Sequence, residues 1–131
     1  MKIGVDYYPE QWDKSMWSRD AELMAQTGVK LVRIGEFAWS KLEPQDGVFD
    51  FEWLDEVISI FSRYKIEVVL CTPTNCPPLW LYQAYPETIR IGADGRPIQT
   101  GIRGHRCINS PIFMDYAKRI THQLALRYGS N

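Results

Sequence analysis

An α/β fold built on a parallel sheet is what this sequence predicts, and three observations carry it. Short runs rich in β-branched residues, at 2–6, 29–34 and 65–71, alternate with longer segments whose apolar residues recur at helical spacing. The third run contains Val68-Val69-Leu70, a continuous apolar pattern typical of a strand buried on both faces. Each run is followed by a helix-length crossover, which parallel pairing requires and a hairpin does not.

Taken in order, residues 2–6 form the first strand. A helix follows over 13–28, with Trp17, Ala21 and Met24 on one face, Asp13 capping its free N–H groups and Gly28 ending it in the left-handed conformation. Residues 29–34 form the second strand. After a loop over 35–49, Asp50 is the expected N-cap of a helix with Leu54, Val57, Ile58 and Phe61 at i, i+3, i+4 and i+7. Residues 65–71 form the third strand. A long loop then runs from 72 to 109, with Pro77-Pro78 leading a short helix over 79–84 and Asp94-Gly95 turning a hairpin between two short extended pieces. Ser110 with Pro111 opens the last helix, whose apolar face is Phe113, Ala117, Ile120 and Leu124 and which ends near Gly129.

The order β-α-β-α-β-loop-α stops where a fourth strand is due. A complete doubly wound domain of 131 residues would show about five strands, so the better reading is the first three βα units of a (β/α)₈ TIM barrel, an incomplete parallel sheet with flanking helices. A closed barrel takes eight units and roughly 250 residues.

Composition narrows the partners. Hydrophobic residues make up 45% of the chain, enough for a core. Fifteen Lys and Arg against sixteen Asp and Glu give a formal charge of -1, with no basic block to neutralise phosphates or hold an anionic membrane, so neither nucleic acid nor membrane is an expected partner. The start Met1-Lys2-Ile3-Gly4-Val5 lacks the apolar stretch of a signal peptide, and no run of about 18 apolar residues occurs. Cys71, Cys76 and Cys107 are odd in number without CxxC spacing, which excludes a disulfide framework and a complete local zinc motif. The expectation is a soluble, cytoplasmic protein.

In parallel α/β folds the ligand site lies at the C-terminal ends of the strands. Here those positions combine rings with carboxylates, amides and an arginine: Asp6-Tyr7-Tyr8-Pro9-Glu10-Gln11-Trp12, Gly35-Glu36-Phe37-Ala38-Trp39-Ser40 and Thr72-Pro73-Thr74-Asn75-Cys76-Pro77-Pro78-Leu79-Trp80. Such a mixture suits carbohydrate, whose C–H faces stack on rings while its hydroxyls need paired donors and acceptors. Bland roles compete with these. Arg33 serves equally well as a buried arginine paired with a structural carboxylate such as Glu36, and Arg103 as a solvated loop residue. Glu36 more often fixes a neighbouring arginine or a loop than performs catalysis. Asp6 and Glu10 read as partners for backbone N–H groups of the first loop, Trp12, Trp39 and Trp80 as packing, and Cys71 and Cys76 as small hydrophobes.

These strand-end segments, from Gly4 to Trp12, from Val32 to Ser40 with Leu42-Glu43-Pro44, and Thr72-Pro73-Thr74 with Pro77-Pro78, resemble β-galactosidases of glycoside hydrolase family 42 over nearly the whole chain. The resemblance implies that residues 1–131 are the N-terminal piece of the catalytic barrel of an enzyme that hydrolyses terminal β-D-galactosides with retention, using an acid/base and a nucleophilic glutamate about 5 Å apart. In the family both follow later strands, so no residue here takes a catalytic role and the chain alone is expected to be inactive. Alternatives are another retaining barrel glycosidase, acting on an α-arabinoside or β-glucoside, and a non-catalytic sugar-binding module.

The resemblance also assigns Arg33 and Arg103 to substrate binding. Cys107 matches a cysteine that in many members is one of four binding a structural zinc, its three partners lying beyond Asn131. The segment from Gly101 to Cys107 departs from the commoner Arg-Arg-His-Tyr-Cys pattern at Gly104 and Arg106. No cofactor is implied for catalysis. A galactoside is the implied substrate, and members often form homotrimers. An incomplete sheet leaves edges that template pairing with another chain, so self-association is expected.

Overall fold

The computed structural model describes residues 1–129. In chain order its elements are β1 (Ile3–Asp6), α1 (Trp17–Gln26), β2 (Val29–Ile34), α2 (Trp39–Leu42), α3 (Glu52–Arg63), β3 (Glu67–Leu70), α4 (Leu79–Ala84) and α5 (Pro111–Tyr128), with short 3₁₀ turns at Pro9–Gln11, Lys14–Met16 and Pro86–Thr88. They form two compact units. One comprises Met1–Gly35 and Asp50–Cys71, the other Glu36–Phe49 and Thr72–Asn131.

The first unit holds the sheet, ordered β1-β2-β3 and parallel throughout. Its register sets Asp6 beside Arg33, and Arg33 beside Val69. Asp13 does cap, accepting from the Ser15 N–H at 2.9 Å, but it opens a 3₁₀ turn, and the α-helix starts at Trp17. Trp17 and Ala21 are buried and Met24 half-buried, as the period predicts. Gly28, at φ +85°, reverses the chain into β2 in a conformation that costs a residue with a Cβ. Helix α3 begins two residues after Asp50, whose carboxylate accepts from the Glu52 N–H at 3.2 Å. Leu54, Val57 and Phe61 are buried with Trp53 and Ile60, while Ile58 is half-buried.

In this chain the β3 run is only partly covered, as an incomplete sheet implies: Val69 is 43% exposed, and Val68 and Leu70 are half-buried. An apolar strand needs cover on each face and a neighbour on each edge, and within this unit β3 is an edge strand. The central strand β2 carries the dry positions, with Val32 and Ile34 at 0% and 1%.

The second unit is built around α5. Ser110 caps it by accepting from the Phe113 N–H, Pro111 occupies its first turn, and Phe113, Ala117, Ile120 and Leu124 are buried as predicted. The short helix α4 has the expected bounds. Asp94-Gly95 does turn, with Gly95 at φ +75° and the Gly92 N–H on the Arg96 carbonyl at 2.7 Å, but the flanking pieces form only the bridges Ile91–Pro97 and Ile89–Arg106. The expected loop over 35–49 contains the one-turn helix α2, too short to give a period.

Candidate functional site

In the first unit, the three strand ends assemble a row of side chains. Arg33 donates from Nε to Asp6 Oδ1 at 2.7 Å and from Nη2 to Asp6 Oδ2 at 3.1 Å, and its Nη1 lies 4.0 Å from the Cys71 sulfur. The ladder continues past each strand to hold this row: the Tyr7 N–H donates to the Arg33 carbonyl and the Cys71 N–H to the Ile34 carbonyl. Gly35 allows it, since a Cβ there would stand 3.1 Å from Leu70 Cδ1 at φ +84°. Asp6, which the sequence reading assigned to backbone N–H groups, thus grips Arg33. Register is the reason: residues 27 apart in sequence become direct neighbours on adjacent strands.

A cleft of about 360 Å³ opens beside this row, lined by Asp6, Tyr7, Tyr8, Trp12, Met16 and Asp20. Tyr7 donates its hydroxyl to Asp20 at 2.6 Å and packs edge-on against Phe61. Burial, then the Asp20 carboxylate, pushes its phenol well above the ordinary range, so it stays a donor. Trp12, expected to pack, is 51% exposed.

In the second unit, Arg103 reaches Glu36 at 3.2 Å and lies over the Phe37 ring, 5.0 Å from its centroid. Glu36 therefore does hold an arginine, while the Arg103 side chain stays 60% exposed in its loop. A carboxylate and a ring face together fix a guanidinium plane that would otherwise sweep through many rotamers. Burial pushes the nearby Cys76 thiol up, against the pull of Arg103 and Arg106.

The same unit contains a polar centre that sequence reasoning missed. Glu43 is fully buried and accepts from Trp39 Nε1 at 2.9 Å, from the Gly47 N–H at 2.9 Å and from Arg119 Nη2 on α5. Arg119 also donates to Asp46 at 2.6 Å and lies 4.3 Å from the Tyr116 ring centroid. Arg119 holds the Asp46 carboxyl below its ordinary value, with Tyr116 adding a second hydrogen bond. Trp39 is packing, as read, and Trp80 donates to the Glu43 carbonyl at 2.9 Å. The only sequence signal was the Leu42-Glu43-Pro44 match.

Cys107 is half-buried, with its N–H on the Thr88 carbonyl at 2.7 Å. Among the described residues no three His, Cys, Asp or Glu side chains are grouped so that they could hold a metal ion, so these residues do not by themselves fit a tetrahedral zinc. No described helix is long and apolar enough to cross a membrane.

An arginine gripped by a carboxylate at the strand ends of a parallel sheet, beside a cleft lined by the exposed Trp12, sits where parallel α/β enzymes bind their ligands. The chain belongs to the Glyco_hydro_42 family, described as β-galactosidase, whose model matches residues 6–131. It is 56% identical to β-galactosidase BgaA of Clostridium cellulovorans and 42% identical to β-galactosidase BgaH of Haloferax lucentense, in each case over all of this chain and 20% of the relative. Among solved structures, the β-galactosidase of the Antarctic haloarchaeon Halorubrum lacusprofundi superposes with a TM-score of 0.94 at 41% identity, over 100% of this chain and 20% of that one. That of the psychrophilic Marinomonas ef1 gives 0.93 at 41%, over 98% and 20%. The chain spans about a fifth of the length of these relatives, and its sheet and helices are the first βα units of the barrel.

Proposed function

We propose that this chain is the N-terminal part of a β-galactosidase that hydrolyses terminal β-D-galactosides with retention, and that it contributes Arg33 and Arg103 to the galactose pocket. The observation that carries this reading is the family match over residues 6–131, with β-galactosidases as relatives across the whole chain. The grip on both arginines supports their role: a guanidinium fixed in advance loses less entropy when it donates to sugar hydroxyls. Retaining hydrolysis needs two carboxylates about 5 Å apart, which the family resemblance assigns to later strands, so residues 1–131 alone are inactive. Catalysis requires no cofactor. Cys107 supplies one ligand of a structural zinc in the full-length protein, and the others come from outside this chain. The protein acts in the cytoplasm, without nucleic acid or membrane partners.

The test compares the 131-residue chain with the full-length protein that carries it. The full-length protein cleaves an aryl β-galactoside and the chain does not; failure of the full-length protein to cleave it overturns the assignment. In isolation the chain self-associates, and the full-length protein assembles as a homotrimer. The outer edges of β1 and β3 and the exposed Val5 and Val69 support the first expectation. A monodisperse monomer in ultracentrifugation would count against it.

A further inference from the structure

We propose that Asp6 is the positioning residue of Arg33: it sets the guanidinium in the orientation that receives the galactoside and does not itself touch substrate. This rests on the reading that Arg33 binds the sugar. A carboxylate taking both Nε and Nη2 of an arginine fixes the position and the plane of the guanidinium. Asp6 is itself held, because its own strand is paired with β2 through Asp6–Arg33 and the ladder continues at the Tyr7 N–H. One residue further on, the Tyr7 hydroxyl ties the chain to Asp20 on α1. The arginine is thus aimed by a carboxylate on the neighbouring strand end, with the Cys71 sulfur on the other side.

In the 131-residue chain the exposure of the pair argues against a role in its stability. The Arg33 and Asp6 side chains are 40% and 50% exposed, and ion pairs so wet contribute little to folding. Geometry survives in water even where net energy does not. A bidentate pair at a strand end is therefore suited to aiming a ligand-binding group.

The experiment is a double-mutant cycle in the full-length protein, reading kcat/KM on an aryl β-galactoside and the thermal unfolding midpoint. Arg33→Ala lowers kcat/KM about a hundredfold, and Asp6→Ala about tenfold with an unfolding midpoint close to that of the unsubstituted protein. In the Arg33→Ala background Asp6→Ala has no further effect, because it acts only through the arginine. Asp6→Asn, which keeps one acceptor, loses less than Asp6→Ala. An Arg33→Ala protein of full activity overturns the sugar-binding reading and the inference with it. An impaired Arg33→Ala beside an unimpaired Asp6→Ala overturns the positioning role alone, as do losses that multiply in the double variant. So does an Asp6→Ala protein that fails to fold where Arg33→Ala folds, since Asp6 would then serve the fold.

Discussion

The two units each carry an arginine–carboxylate pair, and the pairs are built for opposite ends. Arg119 with Glu43 is the dry one: the carboxylate is fully buried, shared with an indole N–H and a backbone N–H, and the arginine is 34% exposed. Arg33 with Asp6 is the wet one, about half open on both sides. A charge taken out of water must have its lone pairs satisfied, and once they are, removing any partner strands the rest. A charge left in water is cheap to hold and cheap to release. The dry pair therefore fastens the 36–49 segment to α5, and the wet pair leaves a guanidinium within reach of a ligand.

The contrast can be broken most sharply at Glu43. Glu43→Ala leaves Trp39 Nε1, the Gly47 N–H and Arg119 without this acceptor in a dry site, and about 3–5 kcal/mol of stability is expected to disappear in urea unfolding. A loss under about 1 kcal/mol would make the two pairs equivalent. Trp39→Phe removes the indole donor and part of a fully buried ring, with an expected cost of about 2–3 kcal/mol by the same measurement.

Asp46 gives a pH test. Its folded value lies below the ordinary 3.8, held there by Arg119, so its contribution is complete above that value and is lost as pH falls through the lowered one. The stability difference between the unsubstituted protein and Asp46→Asn should be flat above about pH 5 and shrink below about pH 4. The smallest effect belongs to the wet pair: Asp6→Asn should shift unfolding by less than about 1 kcal/mol. A larger shift would move Asp6 into the class of Glu43.

Much of this was legible in the sequence wherever a period or a cap speaks. The face Phe113, Ala117, Ile120 and Leu124, the Ser110-Pro111 start and the left-handed Gly28 all follow from local rules, and Arg33 stood out because it ends an apolar strand. What the sequence hid was pairing at a distance. Nothing near Asp6 points to residue 33, because the register of a parallel ladder is set by packing across a whole crossover. Arg119 precedes Ile120 on a helix whose polar positions look solvated, so its inward reach to Glu43 left no periodic trace. The exposed Val69 shows the converse, since an apolar run states what a strand needs, not what covers it.

The sequence separations of the two pairs also set a timetable for synthesis. Asp6 and Arg33 are 27 residues apart, so both have been synthesised once the first crossover is made. Glu43 waits 76 residues for Arg119, and until α5 emerges its carboxylate lacks the guanidinium that completes it. During that interval the nascent chain can form its first strand pair while the 36–49 segment has no latch, so a pause in translation before α5 would lengthen the time this segment stays open to proteases and chaperones.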